Sequence, residues 1–157
     1  MRRAFIAITL MGASLYTSAG ELADFAVKQA HAKSFTGCDA AIKKTHEFAT
    51  GGDIRVNVMS FDETPNSLTM TSTWGTKGDS LYGKTVFTKV GKKCVYDSIV
   101  IITSPKTCFA YAQDNPAFSY VAEAADYLWF KNAGGINMQL APVSNGCIAV
   151  FNPNGIM

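Results

Sequence analysis

The amino-acid sequence predicts an α+β domain in which helices cover one face of an antiparallel sheet. Three observations support this prediction. Apolar residues recur at helical spacing near the N-terminus, they alternate with polar residues through the middle of the chain, and short turn sequences separate the alternating segments. Segments of period two that are joined by short turns form antiparallel sheets, which helices then cover. We expect about six to seven strands, formed by a five-strand meander and a closing hairpin, with two main helices on one face and two disulfides.

The first helical region runs from Glu21 to Ala49. Apolar residues lie three and four positions apart in two segments, which residues 35–37 separate with the sequence Phe-Thr-Gly. The Thr-Gly-Gly sequence at residues 50–52 is expected to end the second segment. Both histidines of the chain, His31 and His46, are expected on the solvated flanks of these helices.

Residues 53–113 predict a meander of five antiparallel strands. The segment "DIRVNVMSF" alternates apolar and polar residues, and "SLTMTSTW" places three threonines on one side, which is typical of a solvated sheet face. The other three predicted strands are "SLYGKTVFTKV", "CVYDSIVIIT" and "TCFAYAQ". The sequences "DETPNS", "GKK" and "SPK" supply turn residues between them.

The segment "DNPAFSYVAEAADYLWFKNAGG", residues 114–135, is predicted to be the second main helix. Asp114 or Asn115 is placed to cap it, Pro116 lies in its first turn, and two glycines close it. Its apolar stripe, expected to face the sheet, consists of Phe118, Val121, Ala122, Ala125, Leu128 and Trp129. The last two segments, "INMQLAPV" and "CIAVF", flank a turn at residues 144–146 and predict the closing hairpin.

The N-terminus has the three parts of a secretory signal peptide. Two arginines form a basic start, residues 4–16 form an apolar core, and residues 17–20 are a run of small or hydroxylated side chains near which cleavage is expected. The apolar core is shorter than the roughly 20 residues that span a bilayer, which disfavours a membrane anchor. We therefore predict a signal peptide at residues 1–20 and one soluble domain at residues 21–157 that is periplasmic or secreted.

The charge of the predicted mature chain disfavours nucleic acid as a partner. Removal of the two leader arginines leaves twelve basic residues against twelve acidic ones, so the domain is close to neutral. Proteins that bind nucleic acid usually carry a basic surface. The remaining length, about 137 residues, is enough for a single domain with one core.

The mature chain contains four cysteines, namely Cys38, Cys94, Cys108 and Cys147. An even number of cysteines in a small exported domain indicates disulfides, here two. Zinc sites use closely spaced pairs of ligands, whereas the successive separations here are 56, 14 and 39 residues. No metal site is predicted.

Strand geometry narrows the pairing of these cysteines. If the strands on either side of the "SPK" turn pair tightly, Cys94 lies about 20 Å from Cys108, whereas a disulfide needs Cα atoms within roughly 7 Å. Two pairings remain: Cys38–Cys94 with Cys108–Cys147, or Cys38–Cys108 with Cys94–Cys147. The first is favoured, and the second stays open.

The sequence lacks the familiar signatures of catalytic sites. The patterns G-x-S-x-G, H-E-x-x-H and G-x-G-x-x-G and the P-loop are all absent. Asp97 is the most notable acid because it interrupts the apolar run "CVYDSIVII". An outward-facing position at the start of a strand is favoured over a catalytic role for Asp97. We expect no catalytic residue and no cofactor.

Two connecting segments carry residues suited to protein contacts. They are "FDETPNS" and "WGTKGDSLYG". Loops carry binding function more often than the scaffold does, and Trp and Tyr are enriched at binding hot spots. For Trp74 a place in the core is an equally good interpretation. The candidate partner-binding residues are Asp62, Glu63, Trp74, Lys77, Asp79 and Tyr82.

The layout resembles small periplasmic immunity proteins of Gram-negative bacteria. The resemblance is carried by a helix-borne first cysteine and by the segments "TSTW", "KCVYDS", "SPKTC" and "NGCIAVF". Such proteins bind and neutralise toxins that contact-dependent secretion systems deliver into the periplasm. The resemblance implies a non-catalytic inhibitor that occludes the active site of a toxin or wall hydrolase. The alternative expectation is a periplasmic enzyme or small-ligand carrier with an unfamiliar site.

Overall fold

A computed structural model describes residues 19–47, 49, 54–76 and 79–157. Within these residues the chain forms three helices, α1 (Ala19–His31), α2 (Asp39–His46) and α3 (Cys108–Asp114). It also forms nine strands: β1 (Arg55–Met59), β2 (Ser67–Thr76), β3 (Asp79–Val90), β4 (Lys93–Ser104), β5 (Phe118–Ala124), β6 (Tyr127–Asn132), β7 (Asn137–Val143), β8 (Gly146–Phe151) and β9 (Asn154–Ile156). The fold class is α+β, as predicted.

The strands form one antiparallel sheet in the order β1-β2-β3-β4-β8-β7-β6-β5. The first four strands follow the order of the chain, and the other four follow its reverse. Two meanders therefore meet where β4 pairs with β8. The short strand β9 pairs with β4 beyond the end of β8. The sheet has more strands than the six to seven predicted.

The register of the sheet decides which side chains share a face. Residues directly opposite each other in an antiparallel pair point to the same side. Ser98 of β4 lies opposite Thr85 of β3, and Val100 of β4 lies opposite Phe151 of β8, so these four side chains share one side. We call this side the helical face, because the helices pack on it, and the opposite side the open face.

Two hydrophobic clusters fill the space between the helices and the helical face. The first joins α1 and α2 to the first meander, and its buried members include Ala26, Ile42, Leu68, Met70 and Phe87. The second joins α3 to β7 and β8, and its buried members include Met138, Leu140 and Ala149. Full burial of one such large side chain contributes about 1.5–3 kcal/mol. The prediction that helices cover one face of the sheet is confirmed.

A disulfide fastens each helical unit to the sheet. Cys38, at the start of α2, is bonded to Cys94 of β4 with their Cα atoms 5.3 Å apart. Cys108, the first residue of α3, is bonded to Cys147 of β8 with a Cα separation of 4.9 Å. The favoured pairing is confirmed, and two disulfides fit an exported protein. The expected distance between Cys94 and Cys108 assumed that both lie on paired strands. That assumption was wrong, because Cys108 begins a helix.

The predicted fifth strand of the meander, "TCFAYAQ", is α3. The missed signal is Thr107, whose hydroxyl accepts a hydrogen bond from the backbone N–H of Ala110 at 3.2 Å and caps the helix. The cap satisfies one of the N–H groups that a helix start leaves without an intrahelical partner. This segment therefore turns away from the sheet and returns on its helical face.

The predicted second main helix at residues 114–135 is wrong, because this segment forms the β5–β6 hairpin. Its two-residue turn places Ala125 at φ 52°, a left-handed conformation that sequence rules assign to Gly or Asn. Across the hairpin the ring of Tyr120 meets that of Phe130 edge-on, with centroids 5.7 Å apart. The ring of Phe118 meets that of Phe151 in the same way at 5.6 Å. These aromatic pairs stabilise strands where the local composition favours a helix.

Two further predictions lie on residues outside the described part of the chain. They are residues 1–18 of the predicted signal peptide and the helix-ending Thr-Gly-Gly sequence at residues 50–52. The last two residues of the predicted signal peptide, Ala19 and Gly20, begin α1. No helix among the described residues is long and apolar enough to span a bilayer.

The positive φ of Ala125 in the β5–β6 turn leads to a testable prediction. A glycine at this position should stabilise a hairpin but destabilise a helix, so the direction of the stability change distinguishes the two. We expect Ala125→Gly to raise the free energy of unfolding by about 0.5–1 kcal/mol, because glycine adopts a positive φ without the clash that a Cβ causes. Inside a helix the same change would lower it by about 1 kcal/mol. Urea unfolding of the oxidised protein measures the difference. Ala122→Gly, within β5, is the control and should destabilise; a loss of stability in Ala125→Gly would contradict the hairpin.

Candidate functional site

The open face of the sheet carries a row of large side chains that crosses its centre. The row consists of Tyr82 on β3, Ile101 on β4, Val150 on β8, Gln139 on β7 and Trp129 on β6. Each residue lies opposite the next, so all five point to the same side. Because neighbouring strands lie about 4.8 Å apart, the row extends about 19 Å.

Two isoleucines widen this row into a stripe. Ile99 lies two residues before Ile101 on β4, and Ile148 lies two residues before Val150 on β8, so both also point to the open face. We call these apolar residues the open-face stripe: Tyr82, Ile99, Ile101, Trp129, Ile148 and Val150. Tyr82 and Trp129 are each 38% exposed and Ile99 is 44% exposed. None of the helices that the structure describes covers them.

The surroundings of the stripe are polar on the side towards β1, whereas towards β5 the exposed Tyr127 and Val143 continue the apolar surface. Towards β1 the open face carries Thr69, Thr71 and Thr73 of β2, the pattern that the sequence predicts for a solvated face. Lys84 and Asp97 are exposed between these threonines and the stripe. Asp97 thus points outward, which is the interpretation favoured from the sequence. An apolar centre with a polar rim is the usual composition of a protein interface.

The structure separates the candidate partner-binding residues. Tyr82 belongs to the open-face stripe, whereas Trp74 lies opposite Leu81 and points to the helical face. Asp62 and Glu63 are exposed in the β1–β2 connection, at the other end of β2 from Trp74.

The two remaining candidates lie in and after the β2–β3 connection. Asp79 is the first residue of β3, and Lys77 lies outside the described residues. The six candidates therefore do not form one surface, and their role in binding stays a prediction.

Sequence reasoning missed most of the open-face stripe, although a signal was present. In "CVYDSIVIIT" and "CIAVF", apolar residues occupy both alternating sets of positions instead of one. A strand that is apolar on both sides is typical of a strand with a contact on each face. Trp129 was assigned to a helix stripe facing the sheet, so its place on the open face was not foreseen.

The most polar buried feature on the helical face is a pair formed by His46 and Ser72. The prediction of a solvated flank for His46 is wrong, because its side chain is only 2% exposed and that of Ser72 only 3%. The ring of His46 places Nε2 2.9 Å from the hydroxyl of Ser72 and Nδ1 3.0 Å from the carbonyl oxygen of Ile42. His31, by contrast, is exposed and lies 2.9 Å from a carboxylate oxygen of Asp39.

The hydrogen bonds assign a protonation state to His46. The carbonyl oxygen of Ile42 can only accept, so Nδ1 carries the proton and Nε2 accepts from the hydroxyl of Ser72. Burial lowers the pKa of His46, because desolvation disfavours the charged imidazolium. The ring is therefore neutral near pH 7.

A serine hydroxyl bonded to an imidazole is also the first half of a nucleophile–base pair. Here both side chains lie between α2 and β2, and they are almost completely buried. The pair instead joins α2 to the sheet, and the indole of Trp74 packs against it at a ring-centroid distance of 5.9 Å from His46. Among the described residues, no group of three or more His, Cys, Asp and Glu side chains could hold a metal ion.

No protein-family model matches the chain, and no curated protein or solved structure is significantly similar to it. The open-face stripe and the buried His46–Ser72 pair are therefore the features of the chain itself on which a functional assignment depends. Of the two, only the stripe is accessible to another molecule.

His46 makes the stability of the domain depend on pH in a defined direction. In the unfolded chain a histidine has a pKa of about 6.5, and the pKa of folded His46 is lower. Below about pH 6.5 the unfolded state binds a proton that the folded state does not, so stability is lost as the pH falls towards the folded pKa. We expect the free energy of unfolding to fall by up to about 1.4 kcal/mol per pH unit in that window.

Substitution of each histidine in turn tests this assignment. His46→Gln should be less stable at neutral pH by about 1–3 kcal/mol, because a hydrogen bond in a buried site is lost, and its stability should vary less between about pH 7 and 5.5. His31→Gln, which leaves His46 and Ser72 in place, is the comparison variant. Urea unfolding at a series of pH values measures both. A pH dependence in His46→Gln as steep as that of the parent would contradict the assignment.

Proposed function

We propose that this chain is an exported, non-catalytic protein-binding domain that contacts its partner through the open face of its sheet. The observation that carries this proposal is the open-face stripe, a group of exposed and half-buried large apolar side chains at the centre of a sheet face on which no described helix packs. Contiguous apolar surface with a polar rim marks interaction sites in soluble proteins. The two disulfides and the N-terminal sequence pattern support export.

The dimensions of the open face suit a protein partner. Eight strands at about 4.8 Å spacing extend about 34 Å across the sheet, and about six residues of each strand extend about 20 Å along it. The product is about 700 Å², close to the roughly 800 Å² that one partner contributes to a standard interface. A sheet face of this size covers the surface of another protein better than it encloses a small molecule.

The residues at the centre of the face support the same conclusion. Tyr82 and Trp129 lie at opposite ends of the row across β3, β4, β8, β7 and β6. Tyr and Trp dominate interface hot spots because they offer a large contact area at a low cost in side-chain entropy. Ile101, Val150 and Gln139 lie between them, and the two aliphatic side chains would exclude water from the contact.

We further propose that the partner is an exported toxin or wall hydrolase and that the domain acts as its immunity protein or inhibitor. The support is the resemblance of the layout and cysteine placement to periplasmic immunity proteins, together with the N-terminal pattern for export. A rigid sheet, fastened to its helices by two disulfides, keeps its shape on binding and so spends little free energy on ordering. Such a face would inhibit an enzyme by covering the entrance to its active site.

The proposal predicts which side chains control binding to a captured partner. The oxidised protein would be immobilised, the proteins retained from envelope and secreted fractions of the source organism identified, and the affinity of a stoichiometric partner measured by calorimetry. We expect Tyr82→Ala combined with Trp129→Ala to weaken binding at least about 100-fold, because two hot-spot side chains are removed. Far-UV circular dichroism and urea unfolding should show an unchanged fold.

Two controls separate the open face from the rest of the surface. Phe109→Ala removes a side chain that is 73% exposed on α3, on the other side of the sheet, and should leave binding unchanged. Asp62→Ala combined with Glu63→Ala tests the β1–β2 connection and should change binding by less than about tenfold, as expected for rim charges. Full affinity in the Tyr82/Trp129 variant would refute binding through the open face.

A further inference from the structure

A hollow of about 320 Å³ opens on the helical face, beside α2. It lies on the side of the sheet opposite the open-face stripe, so it is separate from the proposed protein interface. Its apolar lining is formed by Trp74, Leu81, Tyr96, Val100, Ile136 and Pro153. Four of these residues stand on the sheet, and Ile136 and Pro153 come from the connections before β7 and before β9.

The hollow exists because the helical layer is divided. One disulfide holds α2 to β4 at Cys94, and the other holds α3 to β8 at Cys147. On β4, Tyr96 packs against the cluster under α1 and α2, Ile102 packs against the cluster under α3, and Val100 lies between them. No described helix covers this middle part of β4, and the disulfides fix the helices on either side of it.

The two aromatic rings of the lining are held in place by close contacts. A Cβ atom on Gly155 would lie 2.8 Å from the hydroxyl of Tyr96, so only glycine lets this ring lie against β9. The indole of Trp74 lies over Gly83, 3.6 Å from where a Cβ would be, and against the ring of His46. Because His46 is itself fastened to Ser72, the indole is positioned before any ligand arrives. Such preorganisation lowers the entropic cost of binding.

The chemistry of the lining favours an uncharged ligand. Beneath the hollow, the hydroxyls of Thr85 and Ser98 bond each other at 2.8 Å and are buried. At its mouth the ammonium of Lys44 lies 2.6 Å from a carboxylate oxygen of Glu47. These two charged groups of the lining pair with each other, and the rest of the lining is mostly apolar. A charged ligand would lose hydration on entering this apolar part of the hollow.

We propose that this hollow binds a small uncharged molecule with one or two fused aromatic rings. Ligand pockets usually have volumes of about 300–1,000 Å³, and this hollow is at the lower end of that range, which limits the size of the ligand. Planar rings pack in offset or edge-on arrangements against indole and phenol rings, both of which line the hollow. The aliphatic side chains of Leu81 and Val100 supply the remaining contact.

Titration with indole, followed by methyl and amide NMR of the oxidised protein, tests the proposal. We expect saturable shifts at Leu81, Val100 and Ile136, with a dissociation constant on the order of 0.1–1 mM for a probe of this size. Cyclohexanol, which lacks an aromatic ring, and indole carboxylate, which carries a charge, should bind at least roughly tenfold more weakly.

Variants at adjacent positions of β4 provide a matched comparison. Val100→Phe extends a larger side chain into the hollow and should weaken indole binding at least roughly tenfold. Ile99→Phe makes the same kind of change on the open face and should leave indole binding unchanged. Far-UV circular dichroism and the dispersion of the amide NMR signals establish that each variant is folded. If Val100→Phe does not fold, Trp74→Leu, which removes one ring from the lining, takes its place with the same expected loss.

Three results would overturn the proposal. They are the absence of saturable shifts up to the solubility limit of indole, unchanged affinity in the folded variant of the hollow, and shifts confined to another site. The other candidate is the apolar hollow between α3 and the β5–β6 hairpin, which Phe109, Tyr120 and Phe130 line. None of these outcomes depends on the protein partner, because indole binding is measured in its absence.

Discussion

The pairing of β4 with β8 is the constraint on which the rest of the structure depends. Each meander can form from neighbouring segments of the chain, but only this pairing joins them into one sheet. It places Ile101 opposite Val150 on the open face and Val100 opposite Phe151 on the helical face. A slip of one residue would exchange the faces of one meander relative to the other, because side chains alternate along a strand. The register therefore creates the open-face stripe and places both helical units on the same side.

The two disulfides act near the two ends of β4. Cys94 lies in the first part of β4, and Cys147 lies opposite Ser104 at its end, so the bonds fasten α2 and α3 near opposite ends of the same strand. Closing loops of this length contributes on the order of 4 kcal/mol each in the chain-entropy account, a large share of the stability of a small domain. Each helical unit thus has its own cluster and its own covalent bond. The helices therefore cover the sheet as two separate units, with the hollow between them. The fold does not need one continuous core, because each unit packs on its own hydrophobic cluster.

The sequence predicted the elements whose local signals agree with their tertiary surroundings. The two N-terminal helices, the first four strands, the closing hairpin and the pairing of the cysteines were all foreseen. It failed for the β5–β6 hairpin, because "AEAAD" has high helix propensity and Ala125 occupies a turn position that glycine or asparagine normally marks. The site was less predictable than the fold. Tyr82 was identified by residue type alone, and Trp129 reached the same row only through a long-range register that no local pattern encodes.

The apolar character of both faces of β4 needs separate reasons. Two of its apolar residues have contacts on the helical face. Val100 lines the hollow, and Ile102 packs against the cluster under α3. Ile99 is 44% exposed, so its contacts within the described chain leave much of its surface in water. The threonines of β2 show that this same face can be polar where it meets solvent. The change from threonine at β2 to isoleucine, valine and tryptophan across β4, β8 and β6 therefore favours a second contact surface, and its size suits another protein.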